Sequence, residues 1–206
     1  MKNEGPMNSF RRTVSSEAMQ DEWAEIQAAQ ADPVLFRPLY DRYFEPIFQF
    51  IYNRTLDEER CADLCSQVFL KAMQRLGDYT YKGVAFSAWL FRIASNEVAQ
   101  FYRQSKKVRV VSAEESYLGD LFDEMEEDNL APYRPFLVPA LEELKEADLE
   151  IVELRFFEQR PFKEIADMLN ITESNAKVRT YRVLERLKKI LLSKINGEED
   201  TESLFQ

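Results

Sequence analysis

The sequence predicts an all-α fold of two small helical domains joined by an acidic linker, and three observations carry that prediction. Five glycines and eight prolines in 206 residues are too few for a turn-rich β protein, while 45% hydrophobic residues suffice to fill cores. Apolar residues recur mostly three and four apart, the spacing of a half-buried helix. The net charge of −10 is also uneven: residues 111–150 hold two basic and 13 acidic side chains, whereas residues 21–110 balance at twelve of each and residues 151–206 at ten of each. The acidic excess marks a seam, and the basic clusters on either side survive it.

Taken in order, residues 1–20 are polar and aperiodic and read as a tail. Residues 21–110 read as a four-helix domain. A short helix lies near 21–30. A second follows Asp32, with Pro33 at its first position and Phe36, Leu39, Tyr40, Tyr43, Ile47 and Ile51 along one face. A third, about 57–76, carries Leu64, Val68, Phe69, Ala72 and Leu76 and stops at Gly77. A fourth, about 86–106, is led by Phe86, Trp89, Leu90, Ile93 and Val98. Residues 111–136, acidic and with Pro132 and Pro135, read as a linker rather than a third core. Helical spacing returns with Leu137, Leu141 and Leu144 in a domain spanning 137–195. Residues 196–206 read as a frayed tail.

Several function classes fall away. The chain has no histidine, so the commonest general base and metal ligand is missing, and no catalytic constellation, cofactor motif or metal set stands out. Cys61 and Cys65 share a helical face and are too few for a structural zinc site by themselves. No apolar run approaches the roughly 20 residues of a membrane span, and the start of the chain lacks a secretory pattern, so a cytoplasmic protein without membrane insertion is expected.

The strongest motif is PFKEIADMLNITESNAKVRTYRVLERLKKIL. Pro161 opens a short helix that buries Ile165, Ala166 and Leu169. Asn170 and Ile171 form a turn, and Thr172 is suited to cap the next helix. On that helix Ala176, Thr180, Val183, Leu184, Leu187 and Leu191 keep to one side. Asn175, Arg179, Arg182 and Arg186 fall on a stripe about a quarter turn away. One face packs and another is free for a major groove, with early residues at base edges and later arginines at phosphates. A basic amphipathic helix closing an ordinary bundle is the plainer alternative, and the short helix, turn and cap ahead of it favour DNA. Many regulators share this motif, so a conventional helix-turn-helix regulator and a helical adaptor both stay open.

Residues 79–109 narrow the choice. Tyr79, Tyr81, Phe86, Trp89, Phe91, Phe101 and Tyr102 precede Arg103, Lys106, Lys107 and Arg109. Aromatic faces beside cations suit unstacked single-stranded bases, although each ring alone could be core.

FSAWLFRIASNEVAQFYRQSKK resembles region 2 of bacterial sigma-70-family sigma factors, ADLCSQVFLKAM resembles the polymerase-gripping helix before it, and LEELKEADLEIVELRFFEQRPFKEIADMLNITESNAKVRTYRVLERLKKIL resembles region 4. The two regions stand in family order with no room for a third domain, as in the extracytoplasmic-function (ECF) group. The resemblance implies a non-enzymatic subunit that binds core RNA polymerase and promoter DNA. Trp89, Ile93 and Asn96 would line the region that reads and melts the minus-ten element, with Tyr81, Lys82 and Phe86 in the preceding loop. Arg103, Lys106 and Lys107 would contact phosphates. Ser174, Asn175, Lys177 and Arg179 would read the minus-thirty-five element, joined by Arg182 and Arg186 from the basic stripe. Asp63, Leu64, Ser66, Gln67 and Phe69 would face the polymerase, and the linker would thread its interior.

One departure stands out. Where the family typically has D-A-E-D-L-x-Q-E, this chain has Arg60, Cys61, Ala62, Asp63, Leu64, Cys65, Ser66 and Gln67. The lost acidity suggests a weak grip on polymerase that added negative charge would restore. Thr55 and Ser66 are the candidate phosphorylation sites, Thr55 because a phosphate is favoured at a helix N-terminus. A protein kinase or an anti-sigma factor is the further partner this implies.

Overall fold

The computed structural model describes residues 16–105, 121–122, 124–125 and 133–203. Among these every regular element is helical. The N-terminal domain comprises α1 (Ser16–Ala31), α2 (Arg37–Thr55), α3 (Glu58–Arg75) and α4 (Phe86–Ser105), and the C-terminal domain α5 (Arg134–Glu142), α6 (Glu146–Val152), α7 (Phe162–Leu169) and α8 (Glu173–Ser203). Helix α8 continues past Asn196, where the sequence suggested fraying.

Local chemistry sets these limits. Pro33 opens a 3-10 turn over Pro33–Phe36 rather than α2 itself, and Asp32 accepts the Val34 amide at 3.0 Å. Helix α2 ends at Leu56, whose backbone is left-handed (φ 48°), and Asp57 caps α3 by accepting the Arg60 amide at 3.1 Å. Thr55, expected ahead of α3, is instead the last residue of α2. It is buried, and its hydroxyl donates to the Ile51 carbonyl at 3.1 Å. A phosphate there would sit at a helix C-terminus and lose a buried site, so Thr55 is not an accessible phosphorylation site. Helix α1 is fastened by Gln30, whose amide donates to the Leu76 and Tyr79 carbonyls, both at 2.8 Å.

Cys61 and Cys65 are both free thiols buried under α2. Burial pushes each up to about 12, so both stay protonated at neutral pH.

The two domains share one hydrophobic cluster, with α7 packed on α4. Between them lies a polar core centred on Arg54. Its guanidinium meets Glu153 and Glu158 at 2.9 Å each, donates to the Phe50 carbonyl at 2.8 Å, and lies 3.5 Å from the Phe50 ring centre. Burial alone would pull the Arg54 pKa down, and the two carboxylates outweigh it, raising it. The acidic pair is well placed because residues 153–157 form a wide turn in which the Glu158 amide bonds back to the Glu153 carbonyl. Arg160 stacks over Phe91 at 3.9 Å, and Ser95 donates to Glu150.

The acidic connector is not wholly outside the core. Leu121 and Phe122 are fully buried, Met125 nearly so, and the Phe122 ring lies 5.8 Å from Tyr133. A segment expected to be linker alone thus contributes an apolar anchor.

Candidate nucleic-acid interface

The C-terminal surface is built by its turn. Asn170 adopts the left-handed conformation (φ 54°) that asparagine tolerates, and the Ile171 amide returns to the Ala166 carbonyl at 2.9 Å, ending α7. Two residues on, the Thr172 hydroxyl accepts the Asn175 amide at 3.2 Å and starts α8. Ala176, Thr180, Val183, Leu184, Leu187 and Leu191 are all buried, which fixes the roll of α8. Ser174, Asn175, Lys177 and Arg182 are exposed on the opposite side. Phe162 sits between Arg155 and Lys177, with cations 4.7 and 5.8 Å from its ring centre. Arg179 and Arg186 turn toward the start of α6 instead: Arg179 donates to the Ala147 carbonyl at 3.4 Å and Arg186 pairs with Asp148.

The N-terminal surface is a cleft of about 320 Å³ where the end of α3, the following loop and α4 meet. Trp89 forms one wall, its ring 5.0 Å from Tyr79 and 5.2 Å from Phe86. Lys82, Ile93 and Asn96 line the same cleft, Asn96 exposed and Ile93 buried in its floor. Burial, then the charges of Glu22 and Asp167, raise the Tyr79 hydroxyl pKa, so that hydroxyl remains a neutral donor. Tyr81 stands at the rim, exposed and 6.1 Å from Trp23, and Arg103 is exposed at the end of α4. Phe86 has no access to a base: it is 1% exposed and packs on Tyr43, Tyr79 and Trp89. Lys106 and Lys107 lie outside the described residues.

Two further cations line the cleft, Arg75 and Arg92. Arg75 closes α3, and Arg92 follows Trp89 by one helical turn, a spacing that would have placed it on the same face. The cleft is shut on one side by the other domain, because Asp167 of α7 lines it and its carbonyl accepts Arg92 at 3.3 Å.

On α3, Asp63, Ser66 and Gln67 are exposed, whereas Leu64 and Phe69 are buried and belong to the core rather than to a docking surface. The apolar surface lies elsewhere. Met73 of α3 stands exposed with Tyr40 and Val34, the last 79% exposed, around a shallow groove, and Leu70 is exposed one turn before it on α3. Leucine and methionine three apart on the polar side of α3 were the signal for it.

Comparison with known proteins identifies the region to which each domain belongs. Residues 39–108 match the Sigma-70 region 2 family and residues 140–189 the Sigma-70, region 4 family. The chain is 32% identical over 167 residues to the ECF RNA polymerase sigma factor BldN of Streptomyces coelicolor, covering 80% of this chain and 62% of BldN. It is 25% identical over 162 residues to the ECF sigma factor SigM of Bacillus subtilis, covering 78% of this chain and 97% of SigM. The fold also matches that of CnrH, solved in complex with the cytosolic domain of CnrY, with a TM-score of 0.56 at 22% identity over 84% of this chain and 97% of that one. With both regions present in order, the chain belongs to the sigma-70 family of RNA polymerase sigma factors, in its ECF group.

Proposed function

We propose that this protein is a promoter-recognition subunit of bacterial RNA polymerase, acting in the cytoplasm with core enzyme and without catalysis of its own. The observation that carries the proposal is the pairing in one chain of a duplex-reading helix with a single-strand cleft. The exposed residues of α8, Ser174, Asn175, Lys177 and Arg182, read the minus-thirty-five element, and Arg179 and Arg186 join them on leaving their α6 partners. Trp89 and Asn96, with Lys82 and Tyr81 at the rim, take unstacked bases of the minus-ten element while Arg75, Arg92 and Arg103 follow the backbone; Ile93, expected beside them, is buried in the cleft floor. Asp63, Ser66 and Gln67, together with the Leu70–Met73 surface, dock on the polymerase, and an anti-sigma factor would compete for the same face. Ser66, exposed on α3, is the remaining phosphorylation candidate, and Ser66→Glu is expected to tighten core binding.

The closed arrangement cannot serve both elements at once. Their names place them about 25 base pairs apart, roughly 85 Å of B-DNA, while Arg92 bonds directly to α7. The domains therefore part during promoter binding, uncovering Arg54, Glu153 and Glu158.

In vitro transcription with core polymerase and a promoter library tests this. The expected result is promoter-specific initiation only when protein and core are combined. Site-specific duplex binding with no core-dependent initiation would instead identify a conventional helix-turn-helix regulator.

A further inference from the structure

We infer that Glu124 is an intramolecular shield for the recognition helix, strapped beside α8 by Leu121, Phe122 and Met125. The inference rests on α8 being the DNA-reading helix and adds a control that the chain exerts on it.

Three contacts define the strap. Leu121 and Phe122 are fully buried in the common hydrophobic cluster, a strong anchor for a segment otherwise so charged. Lys188 of α8 donates to the Met125 carbonyl at 3.4 Å. The Tyr181 hydroxyl bonds the Glu124 carboxylate, which raises the Tyr181 pKa first through that hydrogen bond and then through the carboxylate's charge. Lys177, Tyr181 and Lys188 fall on one flank of α8, and Tyr181 adjoins Arg182 in sequence. A carboxylate held on that flank meets any phosphate approaching Lys177. It also takes up a hydroxyl and lies along a basic stretch that a DNA backbone would otherwise use.

Glu124 is one of eight acidic residues between Val111 and Leu130. The anchor therefore fixes the Glu124 carboxylate next to a surface that depends on counterion release for affinity. Shielding by one fixed charge is worth a few-fold at low salt and fades as salt screens it. Release of the anchor takes the Glu124 carboxylate off the flank altogether.

The test is fluorescence-anisotropy binding of the full-length protein, without polymerase, to duplexes carrying the minus-thirty-five sequences recovered from the promoter library. Measurements span low to physiological salt. Glu124→Gln and Tyr181→Phe probe the contact without disturbing the core, and Leu121→Ser with Phe122→Ser probes release, with circular dichroism and thermal melting as the check on folding. The expected result is about twofold to threefold tighter binding for Glu124→Gln at low salt, shrinking as salt rises, and at least as large a gain for the anchor variant. Unchanged affinity of Glu124→Gln and Tyr181→Phe across the salt range, with parent binding still lost in Arg182→Ala, would overturn the shield while leaving the recognition helix intact. No duplex binding by any variant, alone or with polymerase, would overturn both.

Discussion

The two proposed nucleic-acid surfaces are assembled in opposite ways. The helix-turn-helix is made by neighbours in sequence: Asn170 stops α7, Thr172 starts α8, and a run of buried residues sets the roll of the recognition helix. The cleft is made by residues far apart in the chain. Gln30 ties α1 to the loop after α3, Trp89 is braced by Tyr79, and Asp167 arrives from the other domain. A locally built surface keeps its shape whatever the domains do. The cleft is closed on one side by Asp167 of the other domain, and the proposed parting of the domains would open it. On the proposed function, the protein would thus carry a preset duplex reader and a conditional single-strand site, the order of use that promoter opening requires.

The sharpest way to break this comparison is to attack the polar core that holds the cleft shut. Arg54→Ala would leave Glu153 buried at the interface without its counter-ion, a change expected to cost about 3–5 kcal/mol in urea unfolding. Both partners are 4% exposed, so solvent gives little relief in the closed form. A loss below about 1 kcal/mol would instead place the pair in water and the domains apart in the free protein.

A smaller effect separates the surfaces functionally. Arg182→Ala is expected to weaken binding to duplex DNA and to lower the salt slope by about 0.9, the signature of one lost phosphate contact. Trp89→Ala is expected to leave that duplex affinity unchanged while reducing strand opening by the holoenzyme, read by permanganate reactivity of thymines. If both variants failed in the same assay, the division of labour between the domains would be wrong.

What the sequence made legible follows the same division. Periodicity and caps place α3, α7 and α8 to within a residue or two at their starts because those signals are local. Burial is legible only where the stripe is clean. Leu64 and Phe69 belong to the apolar stripe of α3, yet the family alignment drew them onto the docking face, and Phe86 was drawn into the cleft in the same way. Thr55 was misplaced because a left-handed leucine, with no glycine to announce it, separates α2 from α3. The Arg54 core was invisible: its partners are 99 and 104 residues away, and nothing in either segment marks them as a pair. The anchor at Leu121 and Phe122 was hidden in the acidic composition of its neighbours.

The smallest effect concerns how the duplex reader is preset. Thr172 accepts the Asn175 amide at the start of α8, and Asp57 does the same for the Arg60 amide at the start of α3. Either replacement by alanine removes one partner from an orphan amide and is expected to cost about 1 kcal/mol. The consequences for DNA differ because the helices differ in what they present. Thr172→Ala loosens the first turn of α8, which carries Ser174 and Asn175, so duplex affinity should fall along with stability. Asp57→Ala loosens a helix remote from that surface and also frees Arg60, which Asp57 holds at 2.6 Å. It should lower stability by a similar amount and leave duplex affinity where it was. Equal losses of duplex affinity in the two variants would mean that α8 is ordered by the fold as a whole rather than by its own cap. The local character assigned to that surface would then be lost.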